Sequence, residues 1–154
     1  MQQRLDYSKA APGTVQAMYK LEKFVEESGL ERPLLELVKT RVSQINGCAF
    51  CIDMHTKDAR ALGESEQRLY ALNAWRETPF YTERERAGLA WAEAITLISE
   101  SHASDAEFEA ARAEFSEEEL VKLTMAIITI NGWNRLAIAF RSEVGTYQSN
   151  LHGK

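Results

Sequence analysis

The sequence predicts an all-α fold, a compact multi-helix bundle, on three observations. Ala, Leu, Glu, Arg and Lys dominate the chain, and only three prolines interrupt them. Apolar residues recur at helical spacing through most of its length. Three segments open with a hydroxyl residue followed three places later by Glu, the capping-box signature of a helix start. The one β-branched run, Ile127-Ile128-Thr129-Ile130, sits inside a longer helical pattern and does not read as a strand.

A first helix is expected from about Thr14 to Glu27, after the breaker Pro12-Gly13, with a stripe of Val15, Met18, Leu21, Phe24 and Val25 and a stop near Gly29. A second begins near Pro33, a residue suited to the first helical turn, and carries Leu34, Leu37, Val38, Val42 and Ile45 on one side. Asn46-Gly47 breaks it. A third opens at about Cys48 and runs to Leu62, with Gly63 as its C-cap, and a fourth covers Glu66 to Arg76. The capping boxes are Thr82 with Glu85, Ser104 with Glu107, and Ser116 with Glu119. The helix from Thr82 to about Ser99 should pack Leu89, Ala92, Ile95 and Leu97. The last helix is apolar on most sides between Leu120 and Ile130, which places it in the core or against another subunit.

A length of 154 residues suits one domain with a core of its own. Apolar residues make up 45% and charged residues 27%, the balance of a soluble globular chain. A net charge of -5 argues against general affinity for nucleic acid or for anionic membranes, both of which need a basic surface. No apolar run approaches the roughly 20 residues of a membrane span, and the N-terminus has no apolar stretch of signal-peptide type. The expected compartment is the cytoplasm, where thiols are kept reduced and a close cysteine pair is more often catalytic or metal-binding than structural.

The chain has only two cysteines, Cys48 and Cys51, and His55 follows them. At i, i+3 and i+7 all three fall on one helical face. Cysteines at i and i+3 of a first helical turn can close a disulfide with little movement when their Cα atoms lie near 5.5 Å apart. The thiolate is the reactive form, and a helix N-terminus favours it. His55 can take the thiol proton or stabilise the thiolate as an imidazolium. Glu36 reaches the same place if the two helices fold as a hairpin across Asn46-Gly47, where its carboxylate would orient the His or pass protons through water. The dipole favours Cys48 as the more acidic thiol, whereas proximity to His55 favours Cys51. We assign the nucleophile to Cys51, because a positioned base acts directly on the proton being removed.

Two other uses of such a pair are half of a zinc site and two inert buried thiols. A closed zinc site needs four ligands, but the remaining histidines, His102 and His152, lie far along the chain and there is no second cysteine pair. Inert thiols pack as small hydrophobes and need no His in phase with them. The setting also differs from a thioredoxin motif, which joins a strand to a helix.

The series Glu36, Cys48, Cys51 and His55, with the first Cys twelve positions after the Glu, resembles the alkylhydroperoxidase D (AhpD)-like branch of the carboxymuconolactone decarboxylase family. The likeness is strongest over about residues 34–61, within a single AhpD-like helical domain spanning 1–154, and extends more loosely to Tyr81–Ala87 and to Asn131-Gly-Trp-Asn134-Arg135. It implies an all-helical homo-oligomer, commonly a trimer or hexamer. It also implies reduction of hydroperoxides by a dithiol, with no metal, haem or flavin. By the same resemblance Cys51 attacks the peroxide, Cys48 resolves the sulfenic acid to a disulfide, Glu36 and His55 relay protons, and an external dithiol or reductase protein restores the thiols. The best-known branch has a second His immediately before its second Cys, where this chain has Phe50. One relay group is thus missing, which points to a slower peroxidase or to a disulfide oxidoreductase acting on other substrates. The contrasting expectation is a non-enzymatic helical oligomer whose thiol pair is structural or redox-sensing. The decarboxylase branch lacks the cysteine pair, so decarboxylation is not expected.

Trp75, Phe80, Tyr81 and Trp91 are expected in the core rather than in a substrate pocket. Asn131, Asn134 and Arg135 read as polar contacts between helices, and Asp53 and Lys57 as solvent-facing residues.

Overall fold

The computed structural model describes residues 2–151, and every element in them is helical. Nine α-helices follow in order among those residues: α1 Tyr7–Ala10, α2 Pro12–Glu26, α3 Arg32–Asn46, α4 Ala49–Ala61, α5 Glu66–Ala71, α6 Glu83–Thr96, α7 Ile98–Ser101, α8 Asp105–Glu114 and α9 Glu117–Phe140. A 3₁₀ turn, Leu72–Glu77, continues from α5.

All three capping boxes form. The hydroxyls of Thr82, Ser104 and Ser116 accept from the amides of Glu85, Glu107 and Glu119, whose carboxylates accept from the cap amides in return. These reciprocal bonds fix the starts of α6, α8 and α9.

The centre of the fold is α3, which packs against α4, α6 and α9. Leu34, Leu35, Leu37, Val38 and Val42 are all buried. Its Leu34, Leu35, Val38 and Val42 join Trp91 and Ala92 of α6 with Leu123, Ala126, Ile127 and Ile130 of α9 in the main core, which also holds both cysteines. Leu37 faces a smaller cluster with Ala59, Leu69, Leu72, Trp75, Tyr81 and Leu89. Close approach of α3 to α6 needs Gly88, where a Cβ would stand 3.2 Å from Leu34 Cδ1.

The end of α3 is tied to α9 by amides. Asn46 Nδ2 donates to Asn131 Oδ1 at 2.9 Å and to Asn134 Oδ1 at 2.8 Å, and Asn134 Nδ2 donates to Ser43 Oγ at 3.1 Å. Asn131 and Asn134 are thus the expected contacts between helices, whereas Arg135 bonds within its own helix to Asn131.

Several expectations need correction. The first long helix begins at Pro12 rather than Thr14, because a proline is accommodated at the first helical position, and α1 precedes it. Phe24 is exposed, off the buried stripe marked by Val15 and Val25. The helix after Glu66 does not run straight to Arg76 but kinks at Ala74 within the 3₁₀ turn, which turns Trp75 into the core. The helix from Thr82 ends at Thr96, and Leu97 is exposed at its end. Phe80 is exposed, while Trp75, Tyr81 and Trp91 are buried. Along α9, Val121 and Ile128 face outward, so its inward face alone enters the core. Among the described residues no helix is long and apolar enough to cross a membrane.

Candidate active site

Gly47 ends α3 in the left-handed conformation, with φ of 70°, which a residue lacking Cβ adopts without strain. The chain thereby reverses and α4 starts two residues later, at Ala49. Cys48 is the N-cap of α4 rather than its first residue, and its Sγ accepts from the Cys51 amide at 3.3 Å. The two sulfurs are bonded as a disulfide, with Cα atoms 5.3 Å apart. Both residues are buried, Cys48 at 1% and Cys51 at 2% exposure.

The hairpin of α3 and α4 brings Glu36 to His55, with Oε2 2.8 Å from Nδ1. Both side chains are buried. Burial raises the Glu36 carboxyl, but the hydrogen bond and charge of His55, with the Lys39 ammonium 3.9 Å from Oε1, outweigh it and hold the group below the ordinary glutamate range. The ionised Glu36 accepts the hydrogen bond from Nδ1–H, so Nε2 is the ring nitrogen left to face another partner. Lys39 also pairs with Glu22 at 2.5 Å, and Glu22 accepts from Trp133 Nε1 at 3.1 Å, so the buried ammonium has two carboxylates.

A cavity of about 400 Å³ opens onto this group and reaches Cys51, His55, Glu36 and Asp58. Its apolar wall includes Leu35, Phe50, Met54, Ile130 and Trp133. Phe50, which immediately precedes Cys51, forms part of that wall.

The structure brings Glu36, Cys48, Cys51 and His55 together. Two partners of the cavity escaped sequence reasoning. Asp58 is buried one turn beyond His55, in phase with Cys48, Cys51 and His55, and that phase is the signal that would have found it. Tyr147 lies in the C-terminal segment, where no periodicity marks it. Its hydroxyl donates to Asp58 at 2.9 Å and 3.0 Å to the two carboxylate oxygens, and burial together with Asp58 keeps the phenol protonated well above its usual range. Lys57 is not simply solvent-facing: its ammonium bonds Asp53 at 2.9 Å and the Tyr147 carbonyl at 2.9 Å, pinning that segment over the cavity. Glu36, His55 and Asp58 offer donor atoms within 4.8 Å of one another, a set able to hold a metal ion, and all three side chains already carry hydrogen bonds. His102 caps α7 away from this site, and His152 lies outside the described residues.

Residues 11–94, more than half of the chain, match the carboxymuconolactone decarboxylase family. The chain belongs to that family. It is 48% identical over 146 residues to the uncharacterized protein YdfG of Bacillus subtilis (strain 168), covering 95% of this chain and 99% of the other. A crystal structure from Agrobacterium tumefaciens, of a protein of unknown function suggested to be an antioxidant defence protein AhpD, superposes with a TM-score of 0.92 at 50% identity, over 95% of this chain and 100% of that one. An AhpD-core protein of Ralstonia eutropha JMP134, an uncharacterized peroxidase-related protein, shares the fold with a TM-score of 0.79 at 20% identity, over 90% of this chain and 74% of that one. The helical fold of this family member is therefore AhpD-like.

Proposed function

We propose that the protein is a thiol-dependent peroxidase that reduces organic hydroperoxides through a Cys48–Cys51 dithiol/disulfide cycle. The observation that carries this reading is the meeting of Cys51 with a buried Glu36–His55 pair at the end of one largely apolar cavity.

In the reduced state His55 Nε2 serves as base for the Cys51 thiol, and Glu36 holds the imidazole in the required tautomer. The Cys51 thiolate attacks one peroxide oxygen. An S–O bond forms, the O–O bond breaks, and the departing alkoxide takes a proton from the imidazolium to leave as an alcohol. The Cys48 thiol gives up its proton and its sulfur attacks the Cys51 sulfenic acid: the disulfide forms, the S–O bond breaks, and the leaving hydroxide takes up that proton and departs as water. Cys48 sits within reach as the N-cap, where the Cys51 amide supports its negative charge. An external dithiol or reductase protein supplies two electrons and two protons to restore the pair. The other reading, a disulfide oxidoreductase acting on a substrate other than peroxide, uses the same residues and is favoured by Phe50, which adds apolar wall in place of a relay group.

The working form in this proposal is a cytoplasmic homo-oligomer joined through the outward face of α9, where Val121 is 65% exposed. Consumption of an organic hydroperoxide with dithiothreitol as reductant tests the activity. Turnover that depends on both cysteines is expected, and peroxide loss no faster than in the double cysteine variant would refute it.

A further inference from the structure

The two halves of the disulfide open onto different spaces. Cys51 lines the cavity that holds Glu36, His55 and Asp58, and Cys48 does not. Cys48 lines a second groove of about 500 Å³, with Gly47, Ile138, Arg141, Glu143 and Val144, and Cys51 does not. Phe50 and Ala137 border both, so they form the partition.

The charges of the two spaces also differ. Glu22, Glu26, Glu36 and Asp58 face the first cavity against Arg32 and Lys39, an acidic balance. In the groove the guanidinium of Arg141 matches the carboxylate of Glu143. A hydroperoxide is neutral and meets no penalty in the acidic cavity. A thiolate is an anion, so that cavity repels it, whereas the groove does not.

We propose that the reductant enters by the groove and attacks Cys48, so that oxidant and reductant reach the pair from opposite sides. The inference rests on the dithiol/disulfide cycle proposed above. A thiolate displaces one sulfur of a disulfide from the other, and the groove is the space that borders Cys48 and not Cys51. The reductant's sulfur bonds to Cys48, the Cys48–Cys51 bond breaks, and the electron pair leaves on Cys51. That sulfur then lies in the cavity with His55, which supplies its proton or holds it as the thiolate for the next peroxide. A second thiol of the reductant attacks the mixed disulfide, leaves as the oxidised form, and Cys48 is released as a thiol. Cys48 is nearly covered, so the reductant must present its thiol on a slender arm rather than on a broad folded surface.

The test uses the oxidised protein. Brief treatment with 2-mercaptoethanol is followed by a maleimide quench, and the peptide carrying both cysteines is sequenced by mass spectrometry. The expected product carries the mercaptoethanol adduct on Cys48 and the maleimide on Cys51, and the reverse assignment would overturn the proposal. Val144→Trp narrows the groove and should slow reduction by dithiothreitol about tenfold while the pre-reduced variant still reacts with hydroperoxide at the wild-type rate. Met54→Trp narrows the cavity and should do the opposite. Slower reduction in Met54→Trp with none in Val144→Trp would place both reagents in one cavity. A wild-type disulfide that dithiothreitol cannot reduce would instead refute the cycle itself.

Discussion

His55 Nδ1 lies 2.8 Å from Glu36 Oε2, across nineteen positions of sequence and inside the core. The bond joins α3 to α4 and sets which imidazole nitrogen is free. Glu36→Gln removes the charge while keeping the shape. Its rate of reaction with hydroperoxide should fall about 10- to 100-fold, within the range of lost acid–base assistance. The pH at which Cys51 becomes alkylated should also move upward, because an imidazolium without its carboxylate is less stable. Rate and alkylation profiles matching the wild type would show that Glu36 is only structural.

The cysteines should differ in what their loss does. Cys51→Ser should abolish the initial reaction with peroxide. Cys48→Ser should react once, stop at the sulfenic acid and over-oxidise with excess peroxide. Stopped-flow kinetics with mass detection distinguish the two, and equal initial rates in both variants would show the roles to be misassigned.

Much of the fold was legible because its signals are local. Each capping box involves residues three apart, and each predicted a helix start to within a residue. The positions of Cys48, Cys51 and His55 also follow from helix phase alone. The kink at Ala74 does not, because the pull that draws Trp75 inward comes from residues distant in sequence, among them Glu93, whose carboxylate accepts the indole N–H at 2.9 Å. Tyr147 was invisible for the same reason: it owes its place to Asp58 and Lys57, eighty-nine and ninety positions away.

Acid should weaken the fold through two carboxylates, the buried Glu36 and the half-buried Glu93. Burial raises Glu93, but bonds from Trp75, Arg76 and Arg41 hold it below its ordinary value of 4.5, as His55 and Lys39 do for Glu36. A carboxyl depressed in the folded state stabilises the protein above its unfolded value, and that contribution is lost as pH falls through the lower folded value. Stability measured by urea unfolding should therefore fall as pH drops below the ordinary glutamate value. Glu93→Gln should flatten that decline. An unchanged acid dependence in this variant would remove Glu93 from the account.

Asn134 is fully buried, and its amide joins Asn46 and Ser43. Asn134→Leu leaves these polar partners short of a bond in the core and should cost about 2 kcal/mol in urea unfolding. Since Asn46 precedes the Gly47 turn into Cys48, alkylation of the reduced cysteines should also lose selectivity for Cys51. A variant as stable as the wild type would show that water replaces the lost contacts.

The most direct test is the intact mass of the reduced protein before and after one equivalent of an organic hydroperoxide. A loss of about 2 Da, reversed by dithiothreitol and absent in both single cysteine variants, is the predicted result, since closing one disulfide removes two hydrogens. An unchanged mass, with the hydroperoxide still present, would contradict the peroxidase assignment.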